Sequence, residues 1–161
     1  MLGAGPDNSG RDLVFIAPIS PGASQKRLAR IPIDGSAPAT TITDWNDSWV
    51  GIAELENGDF LIQEGPMAFV RLPKAGGPPS PPVPIDAGRP GVSRYVLGGR
   101  SLPGDRGVFI DVISYDAHGW HSSVGVMDVK SGKVKVIEED GGQALYSPTG
   151  HLLFARGDIV L

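Results

Sequence analysis

The chain has 161 residues, 40% of them hydrophobic and 20% charged, a length that suits one globular domain of ordinary size. A formal net charge of −4, with lysines and arginines scattered along the chain, argues against a surface that follows nucleic-acid phosphates. The absence of cysteine excludes disulfides, cysteine-based zinc sites and cysteine nucleophiles.

All predicted elements are β-strands. Apolar β-forming residues recur in short stretches between turn residues, and no stretch of twelve residues keeps a helical period free of glycine and proline. Residues 1–11 are predicted to form an N-terminal extension. The predicted strands then follow in chain order at 12–19, 27–34, 39–43, 50–55, 59–64, 67–73, 82–85, 93–97, 107–115, 123–129, 133–138, 143–147, 151–156 and 158–161.

These strands repeat along the chain. The equivalent points Val14, Leu61, Phe109 and Leu153 are separated by 47, 48 and 44 residues. Four antiparallel strands in about 45 residues is the spacing of propeller blades. The alternative is a sandwich of seven or more strands, which also has short strands and frequent turns.

We therefore predict an all-β fold that forms a partial β-propeller of about three and a half four-stranded antiparallel blades over residues 12–161. Its predicted units are 12–43, 50–86, 93–138 and 143–161.

Three segments in the second half of the chain carry recognisable motifs, at 102–109 (LPGDRGVF), 127–132 (MDVKSG) and 146–156 (YSPTGHLLFAR). They resemble the WD40-like, TolB-type propeller repeats, and within that family the propeller region of bacterial eukaryotic-like serine/threonine protein kinases. The similarity is weaker over 27–77 and weakest over the proline-rich stretch 78–90. The resemblance implies a fold, while function depends on the individual site.

The sequence contains no glycine-rich kinase loop, HRD motif or DFG motif, so we expect no phosphoryl transfer. In the family that it resembles, the chain continues into further blades after the last matching strand. An open arc of blades leaves unpaired sheet edges and uncovered sheet faces. The resemblance therefore implies either a piece of a longer protein or a homo-oligomer whose protomers complete the propeller.

The segment 115–121 (YDAHGWH) is the most chemically distinctive part of the chain and is predicted to be an insertion between two strands. It places four side chains close together: Asp116, His118, Trp120 and His121. Histidine and carboxylate groups can bind a metal. The preferred interpretation is a solvated loop in which Trp120 covers a hydrophobic edge, so no metal is predicted.

Trp45 and Trp49 lie between an outer strand and the next inner strand. Aromatic side chains there can anchor a ligand or peptide, or they can fill the core between blades, and the exposure of the rings distinguishes the two. Together with His118, Trp120 and His121, they are the candidate ligand-binding residues.

No catalytic residue is predicted, because a GxSxG elbow is absent and His151 lies in a turn to which it is expected to hydrogen-bond. Asp105, Asp111 and Asp116 could offer oxygens to a cation, but ordinary solvation is the preferred explanation. The stretch 76–84 (GGPPSPPVP) resembles a polyproline ligand, although a stiff turn followed by a protected edge strand explains it better.

The sequence thus predicts a non-catalytic module that binds a protein or small-molecule ligand, without a cofactor, as part of a larger bacterial sensor or regulatory protein. One alternative is a propeller that serves as the accessory domain of a hydrolase or lyase, and another is a self-assembling structural half-propeller. No run approaches the roughly 20 apolar residues of a membrane span, and residues 1–10 lack a signal-peptide pattern. No membrane insertion is expected, and the compartment is left open.

Overall fold

The computed structural model describes residues 4–6, 10–46, 48–147, 149–157 and 159–161. Pro148, in the motif segment 146–156, and Asp158, in the last predicted strand, lie outside the described residues, as does most of the predicted extension 1–11. A single-turn 3-10 helix spans Pro103–Asp105. Within the described ranges, no helix has both the length and the apolar character needed to cross a membrane.

The rest of the secondary structure is β-strand. The strands are β1 (Ala4–Pro6), β2 (Asp12–Pro18), β3 (Lys26–Pro32), β4 (Thr40–Trp45), β5 (Trp49–Glu54), β6 (Phe60–Glu64), β7 (Ala68–Leu72), β8 (Val83–Pro84), β9 (Val92–Ser101), β10 (Val108–Asp116), β11 (Gly119–Met127), β12 (Val134–Glu138), β13 (Gly142–Tyr146), β14 (Leu152–Arg156) and β15 (Ile159–Val160).

Every predicted strand has a counterpart in the structure, and β1 is an additional strand within the residues assigned to the extension. It pairs with β2, so the first unit contains four strands.

The predicted insertion at 115–121 is wrong. Strand β10 continues to Asp116 and β11 begins at Gly119, so this segment is the end of a long two-stranded ribbon with a tight turn.

The strands form four antiparallel sheets in which chain neighbours are also sheet neighbours. The first sheet holds β1–β4, the second β5–β8, the third β9–β12 and the fourth β13–β15. The second and third sheets are joined by two parallel contacts, Glu54 with Arg100 and Asp86 with Lys133. The prediction of an all-β fold with several antiparallel sheets is confirmed.

Three cores lie between successive sheets. Between the first and second sheets, Val14, Leu28 and Trp49 pack with Phe60 and Ile62. The second and third sheets bury the largest cluster, and a smaller cluster forms between the third and fourth sheets around Phe109, Val124 and Ala144. Alternate residues of a strand point to opposite faces, so the inner sheets are apolar on both sides.

The three cores follow one another along the chain. A sandwich instead buries a single core between two facing sheets. The arrangement therefore differs from the sandwich considered in the sequence analysis.

Candidate functional site

The tip of the β10–β11 ribbon, residues 115–121, is held by one carboxylate. Asp116 Oδ1 accepts a hydrogen bond of 2.7 Å from the backbone N–H of His118 and lies 2.9 Å from Nε2 of His121. The bond from the His118 backbone, followed by the bond with His121, holds the pKa of Asp116 below its usual value. The turn is thus fixed by the acid and histidine that the sequence analysis had considered as metal ligands.

Two aromatic rings project from this tip. Tyr115 and Trp120 face each other across the strands, with ring centroids 5.0 Å apart. Their exposed fractions are 57% and 67%, so neither ring is part of a core. Because side chains alternate along a strand, this pair lies on one face of the ribbon and Ser114 and His121 lie on the other.

A cleft of about 340 Å³ opens beside the tip. It lies between the ribbon, the segment that leads into β9, and the segment that follows β12. Most of its lining residues are polar or charged, and the full set is Arg89, Pro90, Gly91, Ser114, Tyr115, Asp116, His121, Ser123, Glu139 and Asp140.

One wall of the cleft is a connected set of three side chains. The Nη1 atom of Arg89 donates to Glu139 at 2.9 Å, and its Nη2 atom donates to the Ser123 hydroxyl at 2.9 Å. Ser123 is buried and its hydroxyl donates to Glu139 Oε2 at 2.6 Å. The Ser123 and Arg89 hydrogen bonds hold the pKa of Glu139 below its usual value. This wall is therefore preorganised and carries an ionised carboxylate.

Negative groups outnumber positive groups in the cleft. Three carboxylates line it, from Asp116, Glu139 and Asp140, against the one guanidinium of Arg89 and the imidazole of His121. In the described part of the chain, no group of three or more histidine, aspartate or glutamate side chains is placed to hold a metal ion. An organic cation, such as a lysine or arginine side chain, is attracted by this excess of carboxylates. Unlike a metal ion, it can bind through one or two charge-assisted hydrogen bonds without being surrounded by ligands.

The aspartates that were considered together as cation ligands have separate roles. Asp105 accepts hydrogen bonds from the Glu56 backbone N–H at 2.6 Å and from the Ser101 hydroxyl. Asp111 accepts a bond of 2.9 Å from the Gln143 backbone N–H, and burial raises the pKa of Asp111. These two carboxylates connect neighbouring sheets.

The remaining sequence candidates lie away from the cleft. Trp45 and Trp49 are buried in an edge-to-face contact with centroids 5.2 Å apart, and Trp45 donates to the Trp49 carbonyl. The structure thus places them in the core between the first and second sheets. His151 Nδ1 lies 3.0 Å from the Thr149 hydroxyl, which confirms its bond within the turn.

The polyproline-like stretch 76–84 ends in β8, the edge strand of the second sheet. This position agrees with the preferred interpretation of a turn followed by a protected edge strand.

The sequence analysis did not identify Arg89, Ser123 and Glu139. They come from three separate segments and share no spacing that a motif could reveal. Ser123 is the residue that could have pointed to this network. It is a polar residue of β11, and its partner on β10, Val112, is buried in a core. A buried polar side chain needs a hydrogen-bond partner, and that requirement points to the network.

No family model matches the chain, and no curated protein matches it.

Proposed function

We propose that the four sheets are blades of a partial β-propeller and that the chain is a non-catalytic binding module. Three observations support the propeller arrangement: consecutive strands form each sheet, the sheets pack in succession, and neighbouring sheets approach through parallel strands at β5 and β9. The motifs at 102–109, 127–132 and 146–156 point in the same direction. Propellers present loops and hairpins around a rigid scaffold, which suits recognition.

The observation that carries the binding role is the exposed Tyr115–Trp120 pair beside the acidic cleft. Large exposed aromatic side chains are unusual on a free surface and frequent at interfaces. The cleft adds an excess of carboxylates on the opposite face of the same tip, and Tyr115 is among the residues that line it. We therefore assign the tip and the cleft to the recognition of a lysine- or arginine-rich segment of a partner protein that wraps the tip, so that some of its cations meet the carboxylates on one face and others stack on the rings on the other.

Fluorescence anisotropy with a labelled lysine-glycine hexapeptide tests this assignment, with the glutamate-glycine hexapeptide as the charge-reversed probe. The wild-type chain is expected to bind the lysine peptide more tightly, with an affinity that falls as salt rises. Trp120→Ala should weaken binding about 2- to 5-fold, which corresponds to the roughly 0.5–1 kcal/mol of an exposed cation–π contact. Asp140→Asn should weaken it about 2- to 5-fold, in the range of an exposed charge pair.

The matched controls are Ile33→Ala, at an exposed apolar residue far along the chain, and Asp44→Asn, at an exposed acid of the first sheet. Neither control should change the affinity for the lysine peptide. Equal binding of the two peptides, or unchanged binding by Trp120→Ala, would refute the assignment.

A further inference from the structure

The chain places one of its own arginines in the acidic cleft. Arg89 Nη1 donates to Glu139 Oε1 at 2.9 Å and to Oε2 at 3.3 Å, and Nη2 donates to the Ser123 hydroxyl at 2.9 Å. A planar guanidinium can donate to neighbouring acceptors at once through a rigid fork, whereas a lysine ammonium is a compact point charge. We call the Glu139 carboxylate and the Ser123 hydroxyl the acceptor pair. It is a guanidinium site that Arg89 fills.

The acceptor pair is held together without Arg89. The Ser123 hydroxyl donates to Glu139 Oε2 at 2.6 Å, so the two acceptors are joined directly. Ser123 is buried and lies on β11, an inner strand of the third sheet. The site therefore keeps its shape when the guanidinium leaves it.

Arg89 can leave the acceptor pair by rotation of its side chain alone. Its backbone belongs to the segment between β8 and β9, which is attached to the third sheet on either side of Arg89. The Ala87 N–H donates to the Tyr95 hydroxyl at 2.9 Å, and the Gly91 carbonyl oxygen accepts a bond of 3.2 Å from a backbone N–H of β10.

The ion pair is open to solvent, because the exposed side-chain fractions are 30% for Arg89 and 64% for Glu139. A guanidinium that arrives from solvent can therefore reach the same acceptors while the segment stays in place.

We propose that Arg89 is an internal competitor for the acceptor pair, and that an arginine side chain of the partner binds there by displacing it. This inference rests on the proposed function, and it names arginine rather than lysine as the side chain that enters this part of the cleft. While Arg89 occupies the acceptor pair, the apparent affinity for the partner is reduced in proportion to the fraction of time that the site is open.

Fluorescence anisotropy with an arginine-glycine hexapeptide and the lysine-glycine hexapeptide tests the proposal on Arg89→Gln. This substitution removes one positive charge from the cleft, which should raise the affinity for both peptides about 2- to 5-fold, in the range of an exposed charge pair. It also opens the acceptor pair. The arginine peptide alone should gain the resulting charge-assisted hydrogen bonds, so its total gain should be about 10-fold or more.

Arg89→Lys separates the site from the charge. Lysine keeps the positive charge but lacks the planar fork, so it is the weaker occupant of the acceptor pair. The arginine peptide should bind this variant about 2- to 5-fold more tightly than it binds the wild type. The affinity for the lysine peptide should not change.

Arg106→Gln is the control for the loss of an arginine. Arg106 is exposed and lies just before β10, at the opposite end of that strand from the tip. This variant should bind both peptides as the wild type does. Circular dichroism checks that each variant is folded, and Arg89→Lys carries the test if Arg89→Gln loses its strand signal.

Equal gains for the two peptides in Arg89→Gln, or no gain for the arginine peptide in Arg89→Lys, would overturn the proposal. If the wild type still binds both basic peptides more tightly than the glutamate peptide, either result bears on Arg89 alone. If the wild type and both Arg89 variants show no preference for the basic peptides, the proposed function fails together with this inference.

Discussion

Gly132→Ala is expected to lower the free energy of unfolding by about 2–5 kcal/mol. Gly132 has a φ of +72°, and a left-handed conformation costs a residue with a side chain about 1–2 kcal/mol. A Cβ atom at this position would also collide with the backbone carbonyl oxygen of Pro84 in the neighbouring sheet. Relieving such an overlap adds about 1–3 kcal/mol. Urea unfolding followed by circular dichroism measures the change.

Gly35→Ala is the matched control for this substitution. Gly35 lies in the turn between β3 and β4, just as Gly132 lies in the turn between β11 and β12. Gly35 has a φ of +70°, and a Cβ atom there would have no neighbour within 4 Å. It should lose only the backbone contribution of about 1–2 kcal/mol. Equal losses for the two variants would mean that the turn at Gly132 does not pack against the second sheet.

Gln63→Leu is expected to destabilise the chain by about 3 kcal/mol. Gln63 is buried, and its Nε2 group donates to the carbonyl oxygens of Tyr95 at 2.6 Å and Gly65 at 3.0 Å. Its Oε1 atom accepts a bond of 3.1 Å from the Leu97 backbone N–H. Leucine would leave these backbone groups without their side-chain partner, and each buried group left unpaired costs about 1–3 kcal/mol.

Gln25→Leu is the control, since Gln25 is exposed in the loop before β3. Its urea midpoint should stay close to that of the wild type, whereas the midpoint of Gln63→Leu should fall clearly. If Gln63→Leu were as stable as the control, the side chain would not connect the second and third sheets.

Gln63 and Asp111 reveal a repeated device between sheets. Gln63 lies two residues after Leu61, and Asp111 lies two residues after the equivalent point Phe109. Each accepts a hydrogen bond from the backbone of the first strand of the next sheet. The amide of Gln63 both donates and accepts without a charge. Asp111 can only accept when ionised, and its raised pKa reflects the cost of burying that charge.

The strands could be predicted because their signal is local. Apolar residues with period two, bounded by turn residues, indicate every strand from β2 to β15 within two residues at each end, apart from the end of β9 and the start of β11. Strand β1 was missed because its sequence, Ala-Gly-Pro, has no β-forming run, and its conformation comes from pairing with β2. The start of β11 was missed because it has no apolar pattern. Its strand conformation comes from pairing with β10, and the paired residues are Gly119, Trp120 and His121.

The site was only partly predictable for a related reason. The sequence analysis selected the tip, because its histidines, acid and aromatics are adjacent in the chain. The opposite wall combines Arg89, Ser123 and Glu139, which only the packing around the third sheet brings together. For Trp45 and Trp49, the pattern allowed either a ligand anchor or a core pair, and burial decides between them.

A disulfide between neighbouring sheets tests the central arrangement most directly. The chain has no cysteine, so the double substitution Asp86→Cys with Lys133→Cys introduces the only thiols. These two exposed positions form a parallel bridge between the second and third sheets. Bridged residues lie about 5 Å apart at Cα, which suits a disulfide.

Because the second and third sheets meet at these two positions, we expect the folded double variant to oxidise rapidly to an intramolecular disulfide. Non-reducing electrophoresis and mass spectrometry measure the fraction of the protein that carries this bond. The control pair Asp34→Cys with Lys133→Cys joins residues that the sheets do not pair and should stay reduced under the same conditions. Equal behaviour of the two pairs, with neither or both forming the intramolecular bond, would contradict the arrangement of the sheets on which the proposed propeller depends.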